Sequence, residues 1–300
     1  MPGEERTAAA RERHGAGGPP AVGNGMVFIA VGQQGSTSLR AYDEVDGSAK
    51  FTSAMNSQWE NYLAPTIGPN GVYTNAGTYG GLYGFNFSGQ QMFFASLDMQ
   101  SMWTPAVDDS HVYSYTGRLT VVDPQTGAVQ ANINDPSFTN YVYRINGSAV
   151  LGAPGSVFAA PHENAYLNGG GIGNKLTRFD AIAQNFLWQV AGVYPRTPAY
   201  DSGVVYIGNN NPLRLEARSE SNGDLLWSWT PPLPADSSFN SEVLLTDSTI
   251  FVATNKVTYG IDRSTHQVVF SYPLSGRLAL SRSGVLYIQG VGPIVAINVK

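Results

Sequence analysis

The side chains in this sequence that could do chemistry are few, and their spacing limits what each can do. Asp108-Asp109 is the sole Asp pair. Adjacent carboxylates can hold a cation or share a proton, but this pair sits between two short apolar runs, where Asp is a turn former. His162-Glu163 places an imidazole beside a carboxylate, yet zinc needs three or four converging ligands and no His-Glu-x-x-His spacing exists. His14, His111 and His266 are isolated from one another, and no Gly-x-Ser-x-Gly elbow offers them a nucleophile. The run Gly169-Gly170-Gly171-Ile172-Gly173-Asn174 lacks the register and following helix of a phosphate loop. With Cys 0, disulfides, thiolate catalysis and cysteine-ligated metals are excluded. The sequence therefore assigns no catalytic, cofactor-binding or metal-ligating residue.

Aromatic and amide residues form a better-organised set. Trp59, Asn61 and Tyr62, then Trp103, then Tyr141, Tyr143 and Arg144, then Tyr194 and Arg196 each fall just before a short run of small residues. Those runs are Ala64-Pro65-Thr66-Ile67, Thr104-Pro105-Ala106-Val107 and Thr197-Pro198-Ala199-Tyr200, with Leu278-Ala279-Leu280 further on. Equivalent placement in a repeat puts such residues on one face, where Trp, Tyr and Arg can stack on a sugar or grip a peptide.

The elements that position them follow a repeat. Ala41-Tyr42-Asp43, Val121-Val122-Asp123, Arg178-Phe179-Asp180 and Gly260-Ile261-Asp262 share an apolar run ending in Asp, and Asn86, Ser219 and Asn298 mark weaker copies. The mean spacing of these seven marks is about 42 residues, the period of a four-stranded propeller blade. Upstream of each lies a second apolar run such as Gly71-Val72-Tyr73 or Gly203-Val204-Val205-Tyr206. Asp43, Asp123, Asp180 and Asp262 are expected to bond forward to backbone amides in a hairpin turn. The aromatic four residues after the turn glycine, as in Phe51, Phe93 and Trp227, is expected to pack between blades. The reading is an all-β chain forming a single β-propeller of about seven four-stranded blades over residues 20–300. Residues 1–19 are a poorly ordered extension without apolar periodicity. The stretch from Asp123 to Asp180 is the longest interval, so blade four should carry an insertion within residues 132–175.

The pattern Gly-x-Val-Tyr followed by aliphatic-x-Asp-x-x-Thr-Gly-x-x-x-Trp resembles the pyrroloquinoline-quinone-type propeller repeat over about residues 20–300. That family includes quinoprotein dehydrogenases and a non-enzymatic lipoprotein scaffold of outer-membrane protein assembly. The enzymes of the resemblance imply eight blades, a calcium site beside a catalytic Asp and often adjacent cysteines. This chain has seven repeats and no cysteine. The resemblance therefore implies a non-catalytic bacterial scaffold with no cofactor, engaging a protein, peptide or glycan through one face. The alternative is an enzyme, either a divergent quinone-dependent dehydrogenase or a polysaccharide-active propeller.

Charge and hydropathy bound the partners. The charged share is 13%, against about 25% in typical soluble domains, and the net charge of −5 argues against nucleic acid. No apolar run reaches the ~20 residues of a membrane span. The composition resembles secreted proteins, so a periplasmic or extracellular location is expected, without a signal peptide in this chain. Blade seven runs from about Gly276 to Asn298 and has no outer strand of its own in the sequence. An upstream segment or a partner strand is expected to complete it.

Overall fold

The computed structural model describes residues 19–33, 36–57, 64–77, 80–97, 102–137, 145–160, 162–163 and 175–299. The extension up to residue 18, the glycine run at 169–174 and the side chains of His162 and Glu163 lie outside that description, as do Trp59, Asn61, Tyr62, Tyr141, Tyr143 and Arg144. Among the described residues there is no helix, and the strands fall into seven antiparallel sheets in chain order.

Each sheet is one blade, named here by inner, second, third and outer strand. Blade one is Ala21–Gly23, Met26–Gln33, Ser36–Asp43 and Ala49–Met55; blade two is Thr66–Ile67, Val72–Asn75, Gly81–Phe85 and Gln91–Ser96. Blade three is Ala106–Val107, Val112–Tyr115, Arg118–Val122 and Val129–Asn134. Blade four is Ile145–Leu151, Ser156–Ala159, Lys175–Asp180 and Asn185–Ala191; blade five is Ala199–Asp201, Val204–Asn210, Leu213–Ser219 and Leu225–Trp229. Blade six is Leu244–Leu245, Thr249–Ala253, Thr258–Asp262 and Val268–Tyr272. Blade seven has three described strands, Arg277–Leu280, Val285–Gln289 and Val295–Asn298.

Burial explains why the strands differ in composition. The second strands of blades two, three and four are buried at every position, because a neighbouring blade covers each face. They read as Val, Tyr, Phe and Ala interleaved with small polar Ser, Thr and Asn, without the apolar-in, polar-out alternation of a half-exposed strand. Outer strands alternate, as in Val129–Asn134, where Ala131 and Ile133 are buried and their neighbours exposed. Aromatics join consecutive blades: Phe28 of blade one lies 6.2 Å from Phe51 and 6.4 Å from Phe87 of blade two. Phe158 of blade four lies 5.8 Å from Tyr200 of blade five.

Six blades break register at one matching place, between Ala41 and Tyr42, Gly84 and Phe85, Val121 and Val122, Arg178 and Phe179, Ala217 and Arg218, and Gly260 and Ile261. A bulge there sharpens the right-handed twist just before the hairpin to the outer strand. The hairpin itself has repeated chemistry. Asp43 Oδ1 accepts from the amides of Val45 (2.9 Å) and Asp46 (3.2 Å), and Asp123 Oδ1 from those of Gln125 (2.9 Å) and Thr126 (2.8 Å). Asp180 Oδ1 accepts from Ile182 (2.9 Å) and Ala183 (2.8 Å), and Asp262 Oδ1 from Ser264 (2.9 Å) and Thr265 (2.8 Å). The residue four beyond each Asp has positive φ: Gly47 at 72°, Gly127 at 73°, Gln184 at 55° and His266 at 59°.

Blade four carries extra strands. Met102–Thr104 pairs in parallel with its inner strand, Trp103 opposite Gly147, and His162–Glu163 pairs antiparallel with Ile145 and Asn146. The His-Glu pair thus lies in a short strand.

Candidate functional site

Antiparallel order puts the connections on two opposite ends of the ring. The turns between inner and second strands and between third and outer strands share one end. The second-to-third hairpins and the long connections to the next blade share the other. That second end carries Trp103, Tyr194 and Arg196 of the sequence-selected set, and three carboxylates fasten it, Asp135 and Glu216 buried and Asp236 half-buried.

Glu216, on the third strand of blade five, is fully buried. Its Oε1 accepts from Arg214 Nε (2.7 Å) and Asn209 Nδ2 (2.9 Å), and its Oε2 from Arg218 Nε (2.6 Å) and the Tyr194 hydroxyl (3.0 Å). Burial pushes this carboxyl up, but the hydrogen bonds from Arg218, Asn209 and Arg214 outweigh it and hold the group below its usual range. Burial and then the Glu216 charge raise the Tyr194 phenol. Asn209 turns its Oδ1 to the amides of Val193 (3.0 Å) and Asn211 (2.9 Å), so the connection from blade four to blade five is tied by side chain and by main chain.

The same device recurs on two other connections. Asp135, 1% exposed, follows the outer strand of blade three and accepts from Tyr115 OH (2.7 Å), Thr177 Oγ1 (3.1 Å), Gln189 Nε2 (2.9 Å) and the Ser137 amide (2.8 Å). Burial, then the Asp135 charge, lifts Tyr115 well above the ordinary phenol range. Asp236, between blades five and six, accepts from Tyr259 OH at 2.8 Å and from Thr254. Each connection is therefore held by a tyrosine–carboxylate bond, which fixes its shape before any partner arrives.

The sequence-selected residues divide accordingly. Trp103 is fully buried among Tyr73, Leu82, Phe93 and Val112, between blades two and three, and Tyr194 is fully buried among Phe158, Leu176, Val205 and Ile207. Both correct the expectation of exposed stacking rings, because an aromatic entering an inner strand meets the gap between two blades. They lie in separate clusters and do not converge. Arg196 is half-buried beside Tyr194 in sequence, with Nε buried and without a hydrogen-bond partner. The hub carboxylates Asp135, Glu216 and Asp236 were missed. A signal existed for Glu216, since Leu213-Arg214-Leu215-Glu216-Ala217-Arg218 sets three charged residues at alternate positions of one strand.

At the opposite end, a cleft of about 410 Å³ lies between the turns of blades three and four, lined by Asp108, Asp109, His111, Ala153, Pro154 and Ile182. Asp108 is consumed locally, accepting from the amides of Ser110 (2.8 Å) and His111 (2.7 Å) and from Tyr113 OH (2.7 Å). Among the described residues no three His, Asp or Glu side chains converge as a metal site would need.

Seven radial antiparallel sheets with this turn chemistry define a β-propeller of the pyrroloquinoline-quinone-like repeat class. The chain belongs to the family described as outer membrane protein assembly factor BamB, which matches residues 3–229. No curated protein matches the sequence. Among solved structures, BamB from Moraxella catarrhalis superposes with a TM-score of 0.70 at 17% identity, covering 90% of this chain and 80% of that one. Sqt1 of Saccharomyces cerevisiae gives 0.67 at 12% identity, covering 91% and 79%. The computationally designed Ika8 protein gives 0.55 at 12%, covering 93% and 95%. At these identities the likeness is one of fold.

Proposed function

We propose that this protein is a non-catalytic scaffold that holds a partner protein against the end of the ring carrying the inter-blade connections, in the bacterial envelope. The observation that carries this reading is the fastening of three of those connections by Asp135, Glu216 and Asp236. A surface whose loops are fixed beforehand loses little conformational entropy on docking. Arg196 and Arg214 stand on this end and offer guanidinium groups suited to interfaces. Membership in a family described as an outer-membrane assembly factor supports the envelope location. Among the described residues no helix is long and apolar enough to cross a membrane.

Site-specific photo-crosslinking tests the reading. A photoreactive residue at position 196 should give a discrete protein adduct in envelope preparations, and one at position 125 or 264, at the opposite end, should not. Adducts confined to the opposite end would refute the assignment of the face. A purified chain that takes up quinone with calcium and oxidises an alcohol would refute the non-catalytic reading.

A further inference from the structure

In four blades the residue just after the Asp, Asn or Ser turn mark reaches across to the preceding blade. In blade two it is Phe87, whose ring lies 6.4 Å from that of Phe28 in blade one. In blade three it is Pro124, whose carbonyl takes the hydroxyl of Tyr73 in blade two at 2.9 Å. In blade five it is Glu220, which accepts from the amide of Ala153 in blade four at 3.1 Å and faces Arg178 at 3.7 Å. In blade six it is Arg263, which donates to Asp201 of blade five and, at 3.4 Å, to the Tyr206 hydroxyl.

Blade four departs from this pattern. Its residue is Ala181, with no side-chain atom beyond Cβ to reach across. Tyr113 of blade three stands in register where Tyr73 stands in blade two, yet its hydroxyl turns back to Asp108 of its own blade at 2.7 Å. Among the described residues no hydrogen bond crosses from blade three to blade four at this end, and the cleft of about 410 Å³ opens there. The two blades are joined at the other end, where Asp135 accepts from Thr177 and Gln189.

The two walls of the cleft differ in chemistry. On blade three, Asp108 has three donors of its own, and the His111 imidazole leans on it with Nδ1 3.8 Å from Oδ1. Asp109 is exposed and has no hydrogen bond or ion pair among the described residues. On blade four the wall is Leu151, Ala153, Pro154 and Ile182. Ile182 is 74% exposed and lies over Gly155, where a Cβ would meet its Cδ1 at 2.6 Å. One unpaired carboxylate opposite a hydrocarbon wall suits a guest with a single positive charge and an apolar body. A bare divalent ion would need more oxygen ligands than converge among the described residues.

We propose that this cleft is a binding site for a small organic ammonium ion, its charged head at Asp109 beside Asp108 and its hydrocarbon body between Leu151, Pro154 and Ile182. The volume falls in the range of small-ligand sites, roughly 300–1,000 Å³. The site lies at the opposite end of the ring from the proposed partner surface and does not rest on that reading.

n-Hexylammonium chloride, protonated at neutral pH as a Lys side chain is, serves as the probe in an amide NMR titration of the intact chain. The amides of Ser110, His111 and Ala153 should shift saturably at millimolar concentration, while those of Ser264 and Thr265 in the blade-six turn stay in place. n-Hexanol, with the body and no charge, and ammonium chloride, with the charge and no body, should each bind at least about tenfold more weakly. Asp109→Asn should weaken hexylammonium binding about tenfold or more, and Ile182→Ser about threefold or more. Both side chains are exposed, so the melting of the unliganded variants should match that of the parent chain. Absence of saturable shifts at the cleft amides would overturn the proposal. Hexanol binding as tightly as hexylammonium, or affinity indifferent to both substitutions, would overturn it as well.

Discussion

Phe93, on the outer strand of blade two, lies so close over Gly127 in the turn of blade three that a Cβ there would sit 2.4 Å from its Cδ2. The turn glycine therefore has two duties. It supplies the positive φ that closes the hairpin, and it leaves room for the neighbour's ring. Gly47 has the same φ of about 72° and only the first duty.

That difference is measurable. Gly127→Ala should cost the backbone penalty, about 1 kcal/mol, plus an overpacking term of about 1–3 kcal/mol, whereas Gly47→Ala should cost the backbone penalty alone. Urea unfolding of the two variants checks this, and equal losses would show that the Phe93 contact carries no energy.

The turn aspartates make stability depend on acid. Lys50, at 2.9 Å, and then the amides of Val45 and Asp46 hold the Asp43 carboxyl at about 2. The Ser264 hydroxyl and the Thr265 amide do the same for Asp262, also at about 2. Both values lie below those of the unfolded chain, near 3.9, so the stabilisation is complete above about pH 4 and is lost as pH falls toward 2. The unfolding midpoint should decline over that window. In Asp262→Asn, whose amide oxygen still accepts but does not titrate, the decline should be shallower.

Much of the ring was legible before any coordinates, because its determinants are local. The Asp of each such turn and its positive-φ residue lie within five residues, and the second strands advertise burial by their Val, Tyr and Phe. The third strand of blade seven was legible for the same reason, from the position of Asn298. What failed was the exposure of Trp103 and Tyr194, since a loop aromatic in sequence says nothing of the inter-blade gap it enters. Asp135 and Glu216 were invisible as a set because their partners Gln189 and Tyr194 come from other strands or connections.

The hub on blade five should be the most sensitive part of the connecting end. Glu216→Gln leaves Arg214 and Arg218 facing a neutral amide in a buried site, and removal of one partner from such a set costs about 3–5 kcal/mol. Tyr194→Phe deletes a single donor and should cost about 1 kcal/mol. Chemical denaturation of both variants, with photo-crosslinking at position 196 as a second readout, tests whether the hub also shapes the binding end. A destabilised Glu216→Gln that still crosslinks with wild-type yield, measured below its melting point, would confine the hub to stability.

The turn of blade six separates backbone strain from inter-blade contact at one residue. His266 takes the place that Gly fills in other blades, with φ of 59°, and its ring stacks on Trp227 of blade five with centroids 4.0 Å apart and planes at 21°. A non-glycine residue in this region costs about 1 kcal/mol or more, and an aromatic pair returns about 0.5–1.5 kcal/mol. His266→Gly gives up the stack and relieves the strain, so it should change stability by less than about 0.5 kcal/mol. His266→Ala gives up the stack and keeps the strain, so it should lose about 1 kcal/mol more than His266→Gly. Trp fluorescence should shift in both variants as Trp227 loses its cover, which reports the lost contact independently of stability. If the alanine and glycine variants unfold at the same urea concentration, the positive φ at this turn carries no cost and histidine is held there by its ring alone.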